Sequence, residues 1–233
     1  MKRGGWPAPT ARLITACVDA ALVEKAERAG LDHRSAVRHL RTADPHLRSV
    51  IERVGACRLT TPARPDVFHD LARSIVFQQL NGAAAGTIFR RFKELYPDRK
   101  FPHPDDILAT SDKRLRSAGL SPQKLSYLRD LAAKLIDGTV DLRAVRSMDD
   151  EDAIEHLTQV KGVGRWTAEM VLMFTLGRPD VLPVDDYGFK RALQIEYKMR
   201  AFPKPEKIKK LAEPWRPYRT TGTWYLWASL NSK

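Results

Sequence analysis

The sequence predicts an all-α fold. Nearly every periodic segment repeats its apolar residues at intervals of three and four, and no segment alternates in the manner of a strand. Capping residues and prolines open these segments, and glycines or prolines close them.

Taken in order, residues 1–9 read as loose chain and residues 13–29 as a helix. Residues 45–54 form a helix opened by Pro45. Phe68, Leu71, Ala72, Ile75 and Val76 mark a strongly amphipathic helix. Gln78-Gln79-Leu80-Asn81-Gly82 interrupts it, and a second helix continues through Ala85, Ile88, Phe89 and Phe92, capped by Asn81. Short helices are expected over 105–109 and 112–118. Ser121-Pro122 opens a helix with Leu125, Leu128, Leu131 and Leu135 inward, ended by Gly138. Ser147-Met148-Asp149-Asp150 fits a capping box ahead of Ile154, Leu157 and Val160. A further helix carries Trp166, Met170, Val171 and Phe174 on one face and ends at Gly177 and Pro179. Residues 187–197, residues 206–212 and a Trp-rich last helix finish the chain. Gly119-Leu120-Ser121, with its flanking helices, has the form of a degraded echo of the turn at 161–164.

That turn is the most informative stretch. Lys161-Gly162-Val163-Gly164-Arg165-Trp166-Thr167-Ala168 places two glycines between two helices. Bare backbone amides at the start of the second helix, reinforced by its dipole, suit a phosphate.

Composition agrees. The 233 residues can bury a substantial core, as one domain or two small lobes. Forty Lys and Arg against 28 Asp and Glu leave a net charge of +12, which favours a polyanion such as nucleic acid. A generic basic protein would give the same total. No apolar run reaches bilayer length, and Gly4-Gly5-Trp6-Pro7 stands where a signal peptide would have an apolar core. No membrane partner is expected. Cys17 and Cys57 are too few for a disulfide framework and suit a reducing, intracellular setting, the cytoplasm or nucleoid. The six histidines show no zinc spacing, and the acidic run 149–152 reads as a helix start.

The GVGRWTA run, the LPVDDYGFKRAL run and the WRPYR…WYLW tail, in that order, resemble the helix-hairpin-helix (HhH-GPD) DNA glycosylase superfamily, and within it the monofunctional DNA-3-methyladenine glycosylase II branch. The resemblance covers residues 40–233 and leaves 1–39 as an N-terminal helical extension. It implies two helical lobes flanking a cleft: one continuous over about 70–180, the other built from 1–69 plus 181–233. No N-terminal β domain is expected. Some relatives hold an iron–sulfur cluster on four C-terminal cysteines; this chain has none there, so no cluster is expected.

The resemblance assigns roles residue by residue. Asp186 is the catalytic carboxylate, able to stabilise positive charge developing at C1′ and to orient or deprotonate water. Asp is equally a favoured N-cap, and the two roles are compatible; Asp185 reads as structural. Trp166 stands where the bifunctional branch has its lysine nucleophile, so a monofunctional hydrolase without lyase activity is implied. Trp166 and Trp227 would wall the base pocket, since a cationic alkylpurine over an indole gains roughly 0.5–2 kcal/mol. By spacing alone, both tryptophans would be core. Gln79 and Leu80 lie in the loop matching the intercalating wedge, with Gln79 at the tip and Leu80 an equal candidate for the insert. Lys161, Gly162, Gly164 and Thr167 are the expected phosphate contacts, Lys161 standing where many relatives have proline. A Cβ at Gly164 is expected to crowd the phosphate or to disfavour a left-handed turn. The carbonyls of Thr158, Val160 and Val163 match those that hold a structural Na⁺ or K⁺; no other cofactor is required. The expected partner is double-stranded DNA with alkylated bases, met by a monomer. Two alternatives stay open: a glycosylase of the same fold for uracil or mismatched bases, and a non-catalytic DNA-binding module.

Overall fold

The computed structural model describes residues 33–232. The helix expected over 13–29, the loose segment 1–9 and Cys17 lie outside the described residues. Within them the chain is helical and carries no strand. None of the described helices is long and apolar enough to cross a membrane. The chain divides into two compact units: Arg64–Leu176 is continuous, and the other unites described residues 33–63 with 177–232.

The discontinuous unit contains α1 (His33–Ala43), α2 (Pro45–Val54), then, after the continuous unit, α10 (Tyr187–Glu196), α11 (Pro205–Ala212) and α12 (Arg219–Ser229). Helix α12 packs on α1, α2 and α10. Leu40, Leu47, Phe189, Trp215 and Tyr225 are fully enclosed there. Asp44 ties this core together. Its Oδ1 caps α2 by accepting from the amides of His46 and Leu47, at 2.9 and 3.1 Å. Its Oδ2 accepts from the Tyr197 hydroxyl at 2.6 Å and from the Trp215 indole at 2.9 Å. A buried carboxylate is tolerated when it is this fully hydrogen-bonded.

The continuous unit contains α3 (Val67–Phe77), α4 (Gly82–Glu94), α5 (Pro104–Ala109), α6 (Asp112–Ser117), α7 (Pro122–Ile136), α8 (Asp150–Thr158) and α9 (Arg165–Met170). Helix α7 is its hub, packing on α3, α5 and α6, while α8 packs on α9. Asn81 caps α4 through the Ala84 amide at 2.9 Å, as its sequence position predicts. Helix α9 passes directly into a π-helical turn, Val171–Thr175, before Gly177 (φ +67) ends the run.

One cap differs from expectation. The capping box at Ser147 does not form. A 3₁₀ turn, Ala144–Arg146, precedes it, and the Ser147 hydroxyl donates back to the Ala144 carbonyl at 3.0 Å. Helix α8 therefore starts at Asp150, with Asp149 as its N-cap and no side-chain capping bond.

Candidate active site

The hairpin between α8 and α9 is a tight turn in which the Val163 amide donates to the Val160 carbonyl at 3.0 Å. Gly162 sits third in that turn at φ +80, the left-handed region glycine occupies without strain. A Cβ there would lie 2.2 Å from the Tyr127 ring. Gly164 is different. It is the N-cap of α9 at φ −91, and a Cβ on it would meet nothing within 4 Å. The left-handed position expected at Gly164 is therefore occupied by Gly162.

Two hairpin amides are already used: Lys161 donates to the Asp130 carboxylate at 2.7 Å, and Val163 to Val160. Among the described residues, the amides of Gly162 and Gly164 have no partner. Thr167 is buried, so its amide in the first turn of α9 offers more to a phosphate than its side chain does. The Lys161 side chain is exposed, with its ammonium 3.8 Å from Asp130. Arg165 is tied down: its guanidinium bonds both oxygens of Glu151, at 2.6 and 2.8 Å, and Glu169 at 3.1 Å. It therefore fixes α9 against α8; sequence reasoning passed it over.

The suspected echo of this turn has the same backbone design. Gly119 (φ +98) lies two residues before the N-cap Ser121, as Gly162 lies two before Gly164. The chemistry differs. Ser121 accepts from the Lys124 amide, and Pro122 removes a donor. The α9 start has neither device, and no side chain caps its first amides.

The wedge loop lies in the same unit. Gln79 is exposed, at φ +56, an uncommon conformation for a side-chain-bearing residue. Leu80 is half-buried. Gln79 is thus the more exposed of the two wedge candidates. Trp166, second in α9, is 47 % exposed, which sets it apart from an ordinary core aromatic.

In the discontinuous unit, Asp186 is the N-cap of α10 and only 6 % exposed. Its Oδ1 accepts from the Phe189 amide at 2.6 Å and from the Trp227 indole N–H at 2.8 Å. The carboxylate plane is thereby fixed. The segment leading to it is stitched to α12. Thr220 accepts from the Val181 amide at 3.0 Å. The Arg219 guanidinium reaches both carboxylate oxygens of Asp180, at 2.8 and 3.0 Å. Neither Asp180 nor Arg219 was found from sequence; their only signal is the RPD and YRTT runs on the two sides of this joint. Trp227 differs from expectation. A pocket wall needs an open ring face, whereas Trp227 is 3 % exposed. The structure makes it an orienting donor to Asp186 instead. Asp185 is exposed and ion-paired to Lys190 at 3.0 Å. Burial pushes the Cys57 thiol up to about 12, which disfavours the thiolate form.

The hairpin carbonyls of Thr158, Val160 and Val163 are neutral, hard oxygen donors, a chemistry that fits a monovalent cation. Val160 also serves the turn, and the Lys134 ammonium donates to the neighbouring Gln159 carbonyl at 2.6 Å.

A chain that is helical throughout its described residues, with a glycine hairpin whose second helix has no side-chain cap and a clamped, buried aspartate, has the features of the helix-hairpin-helix DNA-binding class. Comparison with known proteins makes this specific. Residues 72–217 match the family described as HhH-GPD superfamily base excision DNA repair protein, and the chain belongs to that superfamily. It is 33 % identical to the alkylbase DNA glycosidase-like protein mag2 of Schizosaccharomyces pombe, over 84 % of this chain and 93 % of that one. A DNA-3-methyladenine glycosidase from Bacillus halodurans superposes with a TM-score of 0.73 at 33 % identity, covering 87 % of this chain and 89 % of that one. The S. pombe 3-methyladenine DNA glycosylase Mag1, solved in complex with abasic DNA, superposes with a TM-score of 0.69 at 32 % identity, covering 83 % and 95 %.

Proposed function

We propose that this chain is a monofunctional DNA glycosylase that hydrolyses the N-glycosidic bond of alkylated bases, such as 3-methyladenine and 7-methylguanine, in double-stranded DNA. The observation that carries the reading is Asp186: a buried carboxylate held at one oxygen by two donors, in a chain of this superfamily. The base departs with the bonding electrons of its glycosidic bond. Its ring charge is neutralised as it leaves, which makes an alkylated purine a good leaving group. Positive charge builds at C1′, and Asp186 stabilises it. Water adds to C1′ and gives up a proton, which the carboxylate can accept. An abasic site remains.

The other residues bind and orient. Gly162, Gly164 and Thr167 offer amides to the backbone, and Lys161 adds a cation. Trp166 offers an indole face to a cationic base. Gln79, at the exposed tip of its loop, fills the vacated stack, with Leu80 the second candidate. Thr158, Val160 and Val163 would hold a Na⁺ or K⁺ that supplies fixed positive charge beside the phosphate. The protein acts as an intracellular monomer.

The test is release of bases from methylated duplex DNA. Free 3-methyladenine or 7-methylguanine, with an intact abasic strand and no borohydride-trapped adduct, is the expected result. A trapped adduct on any lysine would contradict the monofunctional assignment. Uracil or mismatched bases released in their place would assign a different substrate. Binding without release would make the chain a non-catalytic module.

A further inference from the structure

The two adjacent glutamines of the wedge loop do different things. Gln79 points outward, whereas the half-buried Gln78 donates its Nε2–H to the carbonyl of Gly162, at 2.7 Å, across 84 residues of sequence. That carbonyl belongs to the hairpin whose Gly162 and Gly164 amides are the proposed phosphate donors. The Phe77–Leu80 turn resembles the hairpin turn: its third residue, Gln79, is also left-handed, and the Leu80 amide closes it on Phe77 at 3.4 Å.

Helix α7 holds both turns from one side. The Lys124 ammonium donates to the Val76 carbonyl at 2.6 Å, at the end of α3. Tyr127 lies against Gly162, Asp130 accepts the Lys161 amide, and Lys134 holds the Gln159 carbonyl. These residues recur at three- and four-residue intervals, on one face of the helix. The Gln78 bond closes the remaining side, so the loop and the hairpin share one frame.

We propose that Gln78 is a positioning residue that couples the hairpin to the wedge, so that gripping the phosphate also sets the side chain that displaces the base. This rests on the reading of Gln79 or Leu80 as the wedge. The bond transmits position because its acceptor is a backbone atom between the two glycines: a hairpin shift on the phosphate moves the Gly162 carbonyl, and with it the loop.

Gln78→Met keeps the length and apolar contacts and removes the donor. Gln78→Lys puts a donor back. Each protein is measured for affinity to an undamaged duplex, affinity to the same duplex with a tetrahydrofuran abasic analogue, and single-turnover base release from methylated DNA. For Gln78→Met we expect undamaged-duplex affinity within about twofold of wild type. Abasic preference and single-turnover rate should each fall roughly tenfold, the upper range for one neutral hydrogen bond. Gln78→Lys should regain most of both. Wild-type preference and rate in Gln78→Met, equal loss on both duplexes, or no recovery in Gln78→Lys would each overturn the coupling. Gln79→Ala and Leu80→Ala separate the two ideas. If both keep full abasic preference, the wedge reading falls and takes this proposal with it. If either loses it while Gln78→Met does not, the coupling alone falls.

Discussion

Two alanine substitutions, two residues apart, should fail in different ways. In Gly162→Ala the new Cβ lies 2.2, 2.4 and 2.6 Å from Tyr127 ring carbons, and the residue must hold φ +80. A left-handed alanine costs about 1–2 kcal/mol, and overpacking against a ring about 1–3 kcal/mol. The sum, about 2–5 kcal/mol, is a large share of the ~5–15 kcal/mol that holds a domain together. Thermal unfolding should drop by roughly 4–20 °C. In Gly164→Ala the Cβ meets nothing and φ is −91, so only the weaker N-cap is lost, at under about 1 kcal/mol. Its defect should be in binding: the methyl group crowds the phosphate, and affinity falls for damaged and undamaged duplexes alike, because amides carry no base information. Calorimetry and fluorescence anisotropy on the two proteins separate these outcomes. Adding Tyr127→Ala to Gly162→Ala should restore the packing part of the loss and leave the conformational part. A Gly162→Ala protein as stable as wild type would refute the steric argument. A folded Gly164→Ala protein that binds undamaged DNA normally, and loses only lesion preference, would refute the division of roles.

Asp186→Asn keeps an acceptor for both Phe189 and Trp227, so unfolding should shift by less than about 1 kcal/mol; base release should vanish while abasic-DNA affinity persists, and measurable wild-type turnover would remove the residue from the mechanism. Trp227→Phe deletes the indole N–H donor to a carboxylate, an interaction worth about 1.5–3 kcal/mol, so kcat should fall roughly 10- to 100-fold with little change in DNA affinity; a rate within twofold of wild type would show that the Phe189 amide orients Asp186 unaided. Gln79→Gly relieves the positive φ and should raise unfolding stability by up to about 1 kcal/mol while weakening abasic-site binding; greater stability with full abasic preference would pass the wedge role to Leu80.

The features legible in sequence are those decided by near neighbours. Apolar spacing gave α3, α4 and α7 to within a residue or two. Asn81, Ser121 and Asp186 sit at N-caps because a short polar side chain ahead of an amphipathic run has few other uses there. The same logic misread Ser147, where a 3₁₀ turn competes for the serine. Long-range bonds were invisible. The Trp227 indole meets Asp186 across 41 residues, and Asp44 gathers Tyr197 and Trp215 across 153 and 171. No periodicity encodes such pairs, so an aromatic at helical spacing could be read as core or as pocket wall but not as a hydrogen-bond donor. The paired glutamines show the limit most sharply: identical side chains, adjacent in sequence, turned opposite ways by one left-handed residue.

The two glycine turns separate scaffold from function. Both place a left-handed glycine two residues before a helix N-cap, so backbone geometry alone does not distinguish the hairpin from its echo. At 119–122 the chain satisfies its own helix start: Ser121 takes one amide and Pro122 deletes another. At 162–165 glycine occupies the N-cap and arginine the first helical position, and Arg165 is engaged by Glu151 and Glu169. A serine at 164 would cap α9 better than glycine does. With glycine there, the open amides and the dipole of α9 have no side-chain acceptor at the N-cap, a cost in the free protein that a bound phosphate would recover. The hairpin is therefore less stable alone than a serine cap would make it, and in the proposed function that deficit is what contact with the DNA backbone would offset.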